Sequence, residues 1–128
     1  MDEHNTLINL SGIAFGYDAE RPVFDGLDLR LREGERMGLA GPNGSGKTTL
    51  LHIIVGLLRP RSGRVEVFGT ERTDETAFAP VREKVGLLFQ NPEDQLFCPT
   101  VAEDVAFGPL NLGKTHAEAT GAVRRTLE

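Results

Sequence analysis

A single cysteine, Cys98, stands in the whole chain, so neither an intramolecular disulfide nor the paired clusters of a zinc site can form from these residues. It reads as a small, half-buried apolar residue and suits a reducing compartment. Long apolar runs are missing too. Nothing approaches the ~20 consecutive residues that cross a bilayer, and the N-terminus is acidic rather than a basic stretch followed by an apolar one. A membrane role therefore has to come through a partner. A basic excess is also absent: 14 Lys and Arg stand against 19 Asp and Glu, a net charge of -5, and the basic residues are scattered. That excludes nucleic acid as the main partner. There is no low-complexity tract and no internal repeat. What remains, 39% hydrophobic and 26% charged in 128 residues, is an ordinary globular composition with material for about one domain's core.

Local patterns order the chain. Leu7, Ile8, Leu10, Ile13 and Phe15 predict a strand, followed by Gly16-Tyr17 and a turn over residues 18–22. Leu27, Leu29 and Leu31 alternate with Asp28, Arg30 and Arg32, the period of a half-buried strand. After a tight turn at Glu33-Gly34-Glu35, the uncharged run Met37-Gly38-Leu39-Ala40 predicts a strand buried on both faces. Residues 47–58 are apolar almost all round, which predicts an enclosed helix with His52 on its narrow wet edge, ended by Arg59-Pro60-Arg61-Ser62-Gly63. Val65, Val67 and Phe68 predict a strand closed by Gly69, and residues 70–80 a loop, with one short helix near Pro80-Val81-Arg82. Val85-Gly86-Leu87-Leu88-Phe89 is a further strand pattern, with Gln90 at its end before Asn91-Pro92. Thr100 with Glu103, and Thr115 with Glu118, have capping-box spacing, so two helices are expected, split by Gly108-Pro109; the second runs to Glu128 without a stop signal.

The stretch Gly41-Pro42-Asn43-Gly44-Ser45-Gly46-Lys47-Thr48-Thr49 lies between a strand pattern and a helix pattern and has P-loop spacing. Glycines at 41, 44 and 46 let successive amides point inward around phosphate oxygens, and the helix that follows adds its positive end. Lys47 offers a compact charge for the β- and γ-phosphates, the Thr48 hydroxyl a ligand for the Mg²⁺ between them, and Thr49 one more amide.

With Phe15-Gly-Tyr17, Leu27-Asp-Leu29, Glu33-Gly-Glu35, Arg61-Ser-Gly63 and Val85-Gly-Leu-Leu-Phe-Gln90, the chain resembles the N-terminal half of an ATPase subunit of the ATP-binding cassette (ABC) transporters over nearly all its length. Its stretch 90–109 is most similar to the energy-coupling factor importers, including the cobalt and nickel types. The resemblance implies an α/β fold: a P-loop NTPase core with an N-terminal antiparallel β portion and the start of a helical subdomain. Residues 1–90 would be the nucleotide-binding core and 91–128 the Q-loop exit and beginning of that subdomain. It further implies ATP and Mg²⁺ as cofactors, Tyr17 stacked on adenine, and Gln90 reaching the metal and the attacking water. Glu93, Asp94, Gln95, Leu96 and Phe97 would contact a transmembrane subunit, although Leu96 and Phe97 fit equally as anchors of the subdomain's core. A second ATPase subunit, a peripheral place on the cytoplasmic face of the membrane, and a metal ion or vitamin as cargo belong to the same resemblance.

Three family parts are not found in these residues: the Leu-Ser-Gly-Gly-Gln-like signature, the apolar strand ending in Asp-Glu, and the later switch histidine. Asp74-Glu75, Asp94 and Asp104 lack the setting of the Asp-Glu pair, and His4, His52 and His116 read as solvated surface residues. A partner's signature motif would not replace the in-cis carboxylates. ATP binding without turnover is therefore expected, as is a chain cut short, with an unpaired apolar edge at residues 37–40. Two other readings stay open: a non-hydrolysing module that docks on a membrane subunit, and a remnant with no function of its own.

Overall fold

β1 (Thr6–Phe15) pairs antiparallel with β2 (Phe24–Arg32) on one side and β3 (Ser62–Val67) on the other, and β4 (Thr70–Glu71) closes a hairpin on β3. The sheet order is β2-β1-β3-β4. The structure, a computed structural model, describes residues 5–88 and 100–127. They fall into two compact units, Met1–Leu87 and Leu88–Glu128.

In the first unit the alternating leucines behave as their period dictates: Leu27, Leu29 and Leu31 are half-buried and the polar residues between them exposed. Leu10, Ile13, Phe15, Val65 and Val67 of the sheet join Leu50, Ile53 and Ile54 of helix α1 (Lys47–Ile54) in one buried cluster. Phe78 and Val81 of α2 (Glu75–Lys84) complete it. α2 replaces most of the loop expected over residues 70–80. Its start is capped by Asp74, whose carboxylate accepts from the Ala77 amide at 2.7 Å. Pro80 lies inside this helix, and burial of Phe78 and Val81 outweighs the backbone bond that the proline removes.

Three other expectations need correction. Residues 37–40 form no strand, and Met37 and Leu39 are 49% and 39% exposed. An apolar run becomes a strand only where a neighbour supplies the ladder, and no described strand pairs with this one. Residues 85–88 form no strand for the same reason; Val85 and Leu87 lie half-buried against the core while Leu88 is exposed, and Phe89 and Gln90 lie outside the described residues. Both runs line one apolar groove with Leu29, Leu31 and Leu51. Helix α1, finally, is neither enclosed all round nor as long as its apolar content suggests: Leu51 is 39% and Leu57 50% exposed, and the helix ends at Ile54 because Gly56 turns left-handed at φ 79°.

Arg82 fastens α2 to this helix end. Its guanidinium donates to the carbonyls of Val55 (3.0 Å) and Gly56 (3.1 Å) and also bonds Glu75. The hydrogen bond from Arg82 holds the Glu75 carboxyl below the usual carboxylate range, with smaller help from the charges of Arg82 and Arg59. Because that carboxyl is lowered on folding, its contribution is present at neutral pH and fades as pH falls through its folded value. Replacing Arg82 by Met is expected to cost about 2 kcal/mol, since two half-buried carbonyls lose their donor. Glu75→Gln, at an exposed site, should move the urea midpoint far less. Circular dichroism melts of both variants test the ranking; equal effects would mean the ion pair, not the carbonyl capping, matters.

In the second unit, α3 (Val101–Asn111) and α4 (His116–Leu127) pack on each other, burying Ala119. Each starts as its capping spacing predicts: the Thr100 and Thr115 hydroxyls accept from the amides of Glu103 (3.2 Å) and Glu118 (3.1 Å). The break between them is not at Gly108-Pro109, which α3 runs through, but three residues on, where the Leu112 and Gly113 amides turn back onto the carbonyls of Pro109 and Leu110.

Candidate functional site

Residues 41–46 leave the sheet region as an exposed loop and enter α1 directly. Gly44 and Gly46 have φ of 84° and 101°, conformations that side-chain-bearing residues rarely adopt. Gly46 is also sterically confined: a Cβ there would lie 2.6 Å from Val23 Cγ1 and 3.0 Å from the Phe24 ring. Val23 and Phe24 are thus the floor on which the loop sits, a role no motif announced.

The Ser45 amide donates to the Pro42 carbonyl at 3.2 Å, closing the loop on itself, and the Leu50 amide donates to the Gly46 carbonyl at 2.9 Å as the first rung of the helix ladder. Lys47 Nζ donates to the Gly41 carbonyl, which folds the ammonium back over the loop's mouth. No acidic residue lies in the first turn of α1, so nothing there opposes an anion at the helix N-terminus. Thr48 is exposed at the loop's edge. Among the described residues no group of three or more His, Cys, Asp or Glu side chains converges that could hold a metal ion.

Thr49 carries a contact of its own. It is buried, and its Oγ1 lies 2.8 Å from the Tyr17 hydroxyl. Tyr17 itself is 69% exposed, and its ring stands edge-on to that of Phe15 at 5.0 Å and 87°. The structure therefore brings Tyr17 together with residues 41–49, although 24 positions of sequence separate Tyr17 from Gly41. Arg61 reaches the turn that carries Tyr17: its Nη2 donates to the carbonyls of Gly16 (3.0 Å) and Asp18 (2.6 Å), on either side of Tyr17. Bonds from a side chain to distant backbone leave no periodic trace, which is why Arg61 was legible only as part of Arg61-Ser-Gly63.

Gln90, Glu93, Asp94, Gln95, Leu96, Phe97 and Cys98 lie outside the described residues, as does His4. Asp74 is spent on capping α2 and Glu75 on Arg82 and Arg59. His116 is exposed at the start of α4, whereas His52 is half-buried in α1 rather than fully solvated.

The loop, the helix it enters and the antiparallel sheet beside them have counterparts in known proteins. The family model described as ABC transporter matches residues 24–126. A putative ABC transporter ATP-binding protein of Nitratidesulfovibrio vulgaris is 53% identical over 97% of this chain and 46% of its own length. The energy-coupling factor transporter ATP-binding protein EcfA of Methanothermobacter thermautotrophicus is 44% identical over 95% of this chain and 40% of its own. Among solved structures, that of cbiO1 from Clostridium perfringens, part of the ABC transporter complex cbiONQ, superposes with a TM-score of 0.78 at 28% identity, over 90% of this chain and 46% of that one. The chain thus spans about half the length of the curated relatives it matches. With Gly44 and Gly46 at positive φ in a stretch of P-loop spacing and a family match over four-fifths of its residues, the chain belongs to the ABC transporter ATP-binding proteins.

Proposed function

We propose that this chain binds Mg-ATP through Gly41, Pro42, Asn43, Gly44, Ser45, Gly46, Lys47, Thr48 and Thr49, and that it serves as the ATP-binding portion of an importer ATPase. The observation that carries this is the loop: positive φ at Gly44 and Gly46, a helix N-terminus free of acidic residues, and Lys47 folded over the mouth. Such a cradle fits a polyphosphate, because it presents amides and one mobile ammonium and no competing negative charge. Lys47 would leave the Gly41 carbonyl for the β- and γ-phosphates, and the Thr48 hydroxyl would hold Mg²⁺. Bound Mg²⁺ would neutralise charge between those phosphates. Tyr17 would carry the base on its exposed ring.

Gln90 is proposed to orient water and metal, and residues 93–97 to meet a transmembrane subunit. Residues 1–90 then act as the nucleotide-binding core and 91–128 as the start of a helical subdomain. The energy-coupling factor name of one relative and the complex to which the superposed structure belongs support a transporter working with a membrane subunit and a second ATPase subunit. A metal ion or vitamin is the proposed cargo class. No described helix is long and apolar enough to cross a membrane, so attachment at the cytoplasmic face would be peripheral.

Because the chain's residues include no signature motif and no strand ending in Asp-Glu, binding without hydrolysis is the proposed behaviour of this chain alone. Calorimetric titration with Mg-ATP, with released phosphate assayed in the same samples, tests it. Saturable binding with no phosphate is expected. Phosphate release that depends on Lys47 would show that a carboxylate in this chain does the work assigned to the missing pair.

A further inference from the structure

An exposed aromatic side chain is ordinarily free to turn, and any partner that needs it in one place must first restrict its rotamers. Tyr17 is exposed yet tied at three levels. Its hydroxyl bonds the buried Thr49 at 2.8 Å. Its ring leans on Phe15 in an edge-to-face contact, and Phe15 is itself buried. Its backbone is gripped by Arg61, whose one terminal nitrogen bridges the carbonyls before and after it. The rest of the turn is closed as well: the Asp18 carboxylate accepts from the amides of Glu20 (3.0 Å) and Arg21 (2.8 Å), and the Arg61 amide donates to Ala14 at 2.7 Å.

We infer that Arg61 and the Thr49 hydroxyl are positioning residues that hold Tyr17 as a preformed platform for the base of the nucleotide. The inference rests on the proposed reading of Tyr17 and goes beyond it by naming what fixes the ring. Thr49 stands in the first turn of α1, directly after Lys47 and Thr48, so one hydrogen bond joins the base platform to the phosphate loop. Arg61 comes from the start of the third strand region and sets where the turn sits. Neither residue touches the base. Each acts by ensuring that the ring needs no reordering when the nucleotide arrives, so its effect falls on base-bearing ligands and not on phosphates alone.

The chain contains one tyrosine and no tryptophan, so tyrosine emission reports on Tyr17 alone. The test is titration of the wild-type chain, Arg61→Met and Tyr17→Phe with Mg-ATP and, in parallel, with Mg-tripolyphosphate. Arg61→Met is expected to weaken ATP about fivefold and Tyr17→Phe about threefold, the size of one or two modest hydrogen bonds. Tripolyphosphate should bind all three within about twofold, a change too small to count as a lost hydrogen bond. Without ligand, the tyrosine anisotropy of Arg61→Met should fall below wild type, and Arg61→Lys should recover part of both readouts.

ATP binding unchanged in both variants would overturn the inference while leaving the phosphate site intact. Parallel losses for ATP and tripolyphosphate would also overturn it, since Arg61 would then act through its charge or through the loop's folding. A wild-type chain that binds ATP no better than Lys47→Ala would instead end the proposed function, and the platform with it.

Discussion

Lys47→Ala should bind Mg-ATP at least about 100-fold more weakly than wild type, a loss of about 2.7 kcal/mol, while the melting curve stays close to unchanged. The size follows from what the ammonium would meet: charge-assisted bonds to phosphate oxygens are roughly twice as strong as neutral ones, and no other cation in residues 41–49 can substitute. The unchanged stability follows from where it is now. Lys47 donates only to the Gly41 carbonyl at an exposed site, so its removal leaves that carbonyl to water. Lys47→Arg should recover little, because the planar guanidinium cannot stand in for a compact ammonium on a loop already closed by Ser45 and Pro42. Isothermal titration with a thermal melt on each variant decides it. Unchanged ATP affinity in a folded Lys47→Ala chain would remove residues 41–49 as the binding site.

Much of this site was legible because its chemistry is local. The proposed glycine, lysine and threonine roles fall within nine consecutive residues, and Gly44 and Gly46 have the positive φ that only glycine adopts readily. The sheet was legible for a related reason: a period of two along Leu27, Leu29 and Leu31 dictates which face is buried whatever lies opposite. The failures were non-local. Residues 37–40 and 85–88 have the composition of buried strands, but composition does not supply a ladder partner, and without one neither forms a strand; Met37, Leu39, Val85 and Leu87 line a shared apolar groove instead. That outcome agrees with the apolar edge expected at 37–40 in its exposure, and differs in that no strand forms to carry the edge. α2 was expected only as one short helix near Pro80-Val81-Arg82, because residues 70–80 are polar and poorly patterned; Phe78 and Val81 argue for the longer helix only once the core they fill is known. Arg61 and Val23 act on the site from distant positions, through contacts that no sequence window contains.

Gly56→Ala is expected to destabilise the first unit by about 3–4 kcal/mol. Two costs combine. Gly56 holds φ 79°, where a Cβ crowds the following carbonyl at about 1–2 kcal/mol. That Cβ would also lie 2.3 Å from Phe78 Cγ and 2.6 Å from each Cδ, inside a ring that is 1% exposed. Phe78 cannot swing away, since it is enclosed by the core cluster and Arg59 lies 5.1 Å over its face; overpacking of this kind costs about 1–3 kcal/mol. A domain of this size holds only ~5–10 kcal/mol in all, so the variant should sit near the edge of folding. The two costs separate in a double-mutant cycle with Phe78→Leu. The smaller side chain relieves the clash but not the left-handed strain, so the double variant should be more stable than the two single losses predict by about 1 kcal/mol or more. Strict additivity in urea melts would show that Gly56 and Phe78 do not meet, and that the end of α1 owes its glycine to backbone conformation alone.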